Sequence, residues 1–305
     1  LLTALSLWVN ACSPNQAIPS QQADGKLQVV ATTTFIGDVV GRIAGDLVDL
    51  TVLLEPGQNP HAYQPTPQDM VRVSNADLIF ANGLGLEGFL DVLLKGADAS
   101  GAVVVVNEGN PELITGVQEE GSISGDPDNH SGQDPHVWFD PNLVSYWTDQ
   151  IASALAIKDP ENAAIFRGNA ASYRKELTQL DSWIQAQVEK IPPENRELVT
   201  DHTSLGYFSA RYGFVQIGAV IPALTTEAET SGQQLADLIE TIRTHQVNAI
   251  FVGVDFDPTL AQRVADETGI PLVPLYFGSL SDGSPAGTYL TFMRTNVQTI
   301  VDALK

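Results

Sequence analysis

The sequence predicts an α/β protein of two similar lobes, each a parallel sheet of about four strands flanked by helices, joined by one long rigid helix. Three observations carry this. Short β-branched runs alternate with helix-period segments from Lys26 onward, the same alternation restarts at Glu197, and a helical stretch from Asn162 to Ile191 separates the two series.

In the first series the strand-like runs are Leu27 to Thr32, Val48 to Leu54, Asp77 to Ala81 and Val103 to Asn107. Ile36 to Ala44, Pro67 to Ser74 and Leu86 to Leu94 carry helical periodicity between them, so the unit reads as strand, helix, strand in a parallel sheet. The second series has strand-like Glu197 to Thr200, Val215 to Ala219, Ala249 to Val254 and Pro271 to Tyr276. Its helical segments are Ser204 to Tyr212, Gln233 to His245, Pro258 to Thr268 and Tyr289 to Leu304. In the stretch between the lobes, Ile165, Tyr173, Leu177, Leu180, Ile184 and Val188 recur mostly at three- to four-residue spacing, with Pro160 before it and Pro192-Pro193 after it. At about 1.5 Å per residue it would extend roughly 45 Å. One rigid helix between lobes limits hinge motion; an ordinary surface helix between tandem domains is the alternative. The expected limits are 27–160 for the N-terminal lobe, 161–192 for the connecting helix and 193–305 for the C-terminal lobe.

Ahead of the first lobe, Leu1 to Val9 is apolar but too short for a membrane span of about 20 residues. It reads as the end of an export signal, truncated because no initiator methionine or basic segment precedes it. Val9-Asn10-Ala11-Cys12 resembles a bacterial lipobox, so residues 1–12 are expected to be the signal, Cys12 the lipidated residue and 13–26 a polar linker. An incidental cysteine behind a simple leader is the competing reading. No later run could span a membrane.

Thirty-seven acidic residues against fifteen basic ones give a net charge of −22, a field that repels nucleic-acid phosphates and attracts cations. Nucleic acid is thereby excluded as a partner. With Cys12 the one cysteine, an internal disulfide, a zinc finger and an iron-sulfur cluster are excluded too, and any metal must be held by histidine and carboxylate. Gly116 to Pro135, holding Glu119, Glu120, Asp126, Asp128, His130 and Asp134, is expected to form a mobile loop, either a cation-gathering flap or a solvated insertion.

Three of the five histidines stand in built contexts. His61 lies in a Pro-rich loop, Glu55 to Pro65, just after a strand; open α/β sheets place ligands there, and the prolines at 56, 60 and 65 restrain the ring. His136 is bracketed by Pro135 and Pro141 and followed by Trp138 and Phe139. His202 follows a strand and starts a helix. Imidazole is the commonest neutral nitrogen ligand for zinc, and three such rings from loops of two lobes would meet in the cleft. His130 and His245 lack that setting, and His245 fits a helix C-terminus.

Asn59-Pro60-His61 with Tyr63 and Pro65, then Asp134-Pro135-His136-Val137-Trp138, then Asp201-His202-Thr203-Ser204 with Tyr207-Phe208 complete a pattern. Over Lys26 to Lys305 it resembles the metal-binding solute receptors of bacterial ABC importers, the zinc and manganese cluster called TroA-like or ZnuA-like. The resemblance implies two four-stranded parallel sheets with the metal between them, His61 and His136 from the N-terminal lobe and His202 from the C-terminal lobe. It also implies an extracytoplasmic monomer that delivers metal to a permease with its ATPase and touches the membrane only through a lipid on Cys12. One departure stands out. Receptors of this cluster often supply a final Asp in a Tyr-Thr-Asp-Ser context, where this chain reads Leu275-Tyr276-Phe277-Gly278-Ser279-Leu280. A zinc branch leaves that position to water or a nearby carboxylate, for which Asp282 is a candidate. His202 takes a position where manganese members tend to carry Glu, and nitrogen-rich sites suit zinc while manganese favours oxygen. Zinc is therefore the expected cargo and manganese the alternative. Three His around an open position is also a catalytic zinc pattern. The chain has no His-Glu-x-x-His helix, Gly-x-Ser-x-Gly elbow or Walker loop, and the general-base candidates Glu227, Glu229 and Asp255 have no place fixed by sequence. A receptor is expected; a zinc-dependent hydrolase is the alternative.

Overall fold

The computed structural model describes residues 25–97, 99, 103–114 and 132–305. Cys12, the signal and linker reading up to residue 24, and residues 115–131 of the acidic segment, His130 among them, lie outside the described residues.

Two four-stranded parallel sheets carry the fold, as expected. The first holds β1 (Leu27–Ala31), β2 (Val48–Val52), β3 (Leu78–Ala81) and β4 (Val103–Val105) in the order β2-β1-β3-β4. The second holds β5 (Glu197–His202), β6 (Val215–Ile221), β7 (Ile250–Gly253) and β8 (Leu272–Leu275) in the order β6-β5-β7-β8. A parallel sheet covered on both faces needs continuous apolar strands rather than alternating ones. β3 and β7, reading Leu-Ile-Phe-Ala and Ile-Phe-Val-Gly, are buried at every position. In each sheet the chain winds one way from the first strand and then the other, which opens a crevice at the C-terminal strand ends.

The helices are α1 (Thr34–Ala44), α2 (Pro67–Ser74), α3 (Leu90–Ala97), α4 (Pro141–Lys158), α5 (Ala163–Val188), α6 (Gly206–Tyr212), α7 (Gly232–His245), α8 (Thr259–Thr268) and α9 (Tyr289–Leu304). Two depart most from expectation. The third helix starts at Leu90 rather than Leu86, because Gly83, Leu84 and Gly85 all take positive φ. There the Glu87 carboxylate turns back to accept the Asn82 and Gly83 N–H groups at 2.7 and 2.9 Å and the Thr32 hydroxyl at 2.6 Å. The second departure is α4, which was not among the expected elements. Asp140 caps it by accepting from Asn142 N–H, and Pro141 occupies its first turn, where the missing donor costs nothing.

Helix α5 is the long linking element, 26 residues or about 39 Å. It does not bridge open space: it packs along α4, α1 and α9, burying Phe166, Tyr173, Leu177, Leu180 and Ile184. Helix α9 follows the last strand of the second sheet yet returns to α5 and α1, where Phe292 meets Phe35 with ring centroids 4.9 Å apart. Phe35, Trp138, Phe139, Phe277 and Phe292 therefore belong to one continuous core that crosses between the sheets. Wide separation of the lobes would expose these rings, at about 25 cal/mol per Å² of apolar surface.

Candidate metal centre

Each of the three histidines is held by contacts that leave one ring nitrogen facing the space between the sheets. His61 sits in the loop after β2. Asn59 Oδ1 accepts the His61 N–H at 3.0 Å, while its amide donates to Thr226 Oγ1 of the second lobe at 2.8 Å. Gly57 N–H reaches Leu280 O and Ser279 Oγ at 3.1 and 2.9 Å, so this loop is tied to the one after β8. At its far end, the Tyr63 hydroxyl donates to Asp69 Oδ2, the carboxylate that closes the capping box of α2.

His136 precedes a short 3-10 turn, Val137–Phe139. Asp134 Oδ1 accepts both the His136 N–H at 2.9 Å and its ring Nδ1–H at 2.7 Å. A carboxylate only accepts, so the proton lies on Nδ1 and the lone pair on Nε2. Trp138 then spans the lobes, its indole N–H donating to Phe277 O at 2.9 Å and its carbonyl accepting the Tyr289 hydroxyl at 2.9 Å.

His202 is the last residue of β5; the sequence reading had it just beyond the strand, and the helix begins only at Gly206. Asp201 repeats the device, accepting the ring Nδ1–H of His202 at 2.7 Å through Oδ1 and the Gly253 N–H at 2.6 Å through Oδ2.

The Nε2 atoms converge. His136 Nε2 lies 3.2 Å from that of His61 and 3.1 Å from that of His202, and the three ligand atoms lie within 4.8 Å of one another. The edge of a tetrahedron with metal–nitrogen bonds of ~2.05 Å is about 3.3 Å, so two of the spacings fit a single ion. Burial first, then the neighbouring rings, holds the His61 pKa well below the usual imidazole range. Burial also lowers that of His136, against the opposing pull of Asp134. Both rings therefore present lone pairs near neutral pH, without a proton to displace. Among the described residues, no lysine or arginine pairs with the buried Asp134 and Asp201 carboxylates, which accept hydrogen bonds from the His136 and His202 rings. One divalent ion would balance both charges.

The cavity among the rings, of about 10 Å³, is also lined by Asp255, Gly278, Phe277 and Thr226. Asp282 is exposed, in the turn Ser281–Ser284, and does not line it. Glu227 and Glu229 are exposed and outside it. His245 pairs with Glu197 at 3.0 Å at the end of α7. Sequence reasoning missed two features. The orienting role of Asp134 and Asp201 could have been found from an acidic residue one or two positions before each histidine. The approach of Asp255 left no sequence signal, because it depends on strand neighbours.

The sequence pattern of the family described as "ZnuA: Zinc-uptake complex component A periplasmic" matches residues 29–303. The manganese-binding lipoprotein MntA of Halalkalibacterium halodurans is 30% identical over 306 residues, covering 100% of this chain and 97% of that protein. The manganese ABC transporter substrate-binding lipoprotein PsaA of Streptococcus pneumoniae is 31% identical over 311 residues, covering 100% and 96%. The solved structure of the periplasmic zinc binding protein TroA from Treponema pallidum matches with a TM-score of 0.80 at 30% identity, over 92% of this chain and 99% of that one. The zinc expectation thus meets relatives named for either metal, with manganese in the names of both sequence relatives. Matched nearly end to end in sequence and in its two-sheet fold, the chain belongs to the family of the periplasmic zinc-uptake complex component A.

Proposed function

We propose that the protein is the extracytoplasmic receptor of an ABC importer, capturing one divalent transition-metal ion with Nε2 of His61, His136 and His202 and presenting it to a permease coupled to an ATPase. The observation that carries this is the convergence of three ring nitrogens, two of them oriented by buried carboxylates. Relatives named as lipoproteins support a lipid on Cys12 that keeps the receptor at the membrane. The family is one of binding components and the chain is not an enzyme. The cavity among the rings, about 10 Å³, suits an ion rather than an organic ligand, whose pockets run roughly 300–1,000 Å³.

Manganese is the cargo best supported, on the names of the sequence relatives. Zinc is the second reading, favoured by the three-nitrogen donor set and by the likeness to TroA. Affinity does not decide between them, because zinc outranks manganese at almost any nitrogen site. The test is uptake of radiolabelled manganese and zinc, at low external metal, by cells with and without the gene. Loss of manganese uptake alone is expected; loss of zinc uptake alone would replace manganese by zinc, and loss of neither would overturn the importer reading.

A further inference from the structure

We propose that Asp255 supplies a fourth, oxygen donor to the centre, in the place that Gly278 leaves without a side chain. The inference rests on the three-histidine reading above and goes beyond it by naming the residue that sets the preference among metals.

The placement follows from strand register. β7 and β8 run parallel, with Gly253 opposite Leu275 as their last pair. Val254 N–H still bonds Leu275 O, and the chain then turns, with Phe256 N–H returning to Gly253 O, so that Asp255 sits in this turn at the C-terminal edge of the sheet. A Cβ built on Gly278 would lie 3.3 Å from Asp255 Oδ2 and 2.7 Å from Pro60 Cδ. The Asp255 carboxylate thus borders the volume that a side chain at 278 would enter, from one strand over. Both residues line the cavity that holds the three histidines. Asp255 is half-buried, and a Cβ built on Gly253 would lie 2.9 Å from both Asp201 Oδ2 and Asp255 Oδ1, so the two carboxylates are neighbours. Among the described residues no lysine or arginine pairs with it. An unpaired, partly desolvated carboxylate is costly unless a cation completes it, and the adjacent centre is where one would sit.

No Asp255 oxygen is in the set of ring nitrogens that lie within 4.8 Å of one another, so ligation requires rotation about its own side-chain bonds. The result is a donor set of three nitrogens and one hard anionic oxygen, a change that favours manganese more than it favours zinc.

The test uses the purified protein with Asp255→Ala, Asp255→Asn and, in parallel, His136→Ala. Each is titrated with manganese and zinc against a competing chelator, and the cobalt(II) form is followed by visible absorption. Asp255→Ala is expected to weaken manganese by about tenfold or more and zinc by less. The cobalt spectrum should change as water replaces carboxylate. Asp255→Asn, which keeps the shape and removes the charge, should act in the same direction and covers the case in which Asp255→Ala does not fold. Unchanged affinities, or an equal loss of both metals with an unchanged cobalt spectrum, would overturn the fourth donor. Should that occur while His136→Ala abolishes binding, the histidine centre stands without Asp255; normal binding by His136→Ala would instead overturn the centre itself.

Discussion

Exchange of Asp134 for Asn removes one charge from the centre while leaving its shape. Asp134 Oδ1 is 2.7 Å from His136 Nδ1. Adding the width of the ring and a metal–nitrogen bond of ~2 Å places the carboxylate roughly 6–7 Å from the ion. At an effective dielectric near 20, a unit charge at that distance from a divalent ion contributes about 5 kcal/mol of gross attraction. This gross figure is an upper bound, because neighbouring groups and solvent reorganise when the charge is removed. Carboxylates that orient ligating histidines are worth 10- to 100-fold in affinity in other metal sites, about 1.4–2.8 kcal/mol. Asp134→Asn is therefore expected to weaken binding by roughly tenfold or more, with Asp134→Ala worse because the His136 N–H and Nδ1–H are left unpaired in a buried place. Competitive titration with a chromophoric chelator measures this, and a melt of the metal-free protein separates binding from folding. Wild-type affinity in Asp134→Asn would refute the claim that this carboxylate tunes His136.

Two further outcomes follow from the same geometry. Gly278→Asp should weaken manganese and zinc alike, because the new Cβ meets Pro60, which precedes His61, and the new carboxylate meets Asp255; a selective gain in manganese affinity, read by competition between the two metals, would contradict this. The metal-free protein should lose stability as pH falls through about 6.5 and change little from these groups above it: His61 and His136 are held neutral in the fold, so the unfolded chain binds more protons in that window. Melts between pH 7.5 and 5.5 measure the slope, and His61→Gln should reduce it; an unaltered slope in that variant would contradict the assignment.

What the sequence made legible was whatever local chemistry determines. Helices α2 and α9 have the limits expected of them because both open with a capping box, Thr66 with Asp69 and Thr288 with Thr291. The eight strands were legible as β-branched runs, since parallel strands buried on both faces leave no alternation to misread. Helix α4 carried its own signals, Asp140-Pro141 followed by Leu143, Val144, Trp147 and Ile151 at helical spacing. The three histidines were legible as a set through their proline-bracketed or strand-end settings, though their meeting required the Asn59 to Thr226 and Trp138 to Phe277 ties between lobes. Asp255 was visible only as one carboxylate among several. Its nearness to Gly278 is fixed by the pairing of β7 with β8, a tertiary fact that local spacing does not encode.

The central claim is that one ion sits between the lobes on three ring nitrogens. A crystal structure of the protein loaded with one equivalent of metal, with anomalous diffraction collected at that metal's absorption edge, tests it most directly. One anomalous peak is expected, about 2.0–2.2 Å from Nε2 of His61, His136 and His202. A peak elsewhere, or one bonded to fewer than three of these rings, would contradict it.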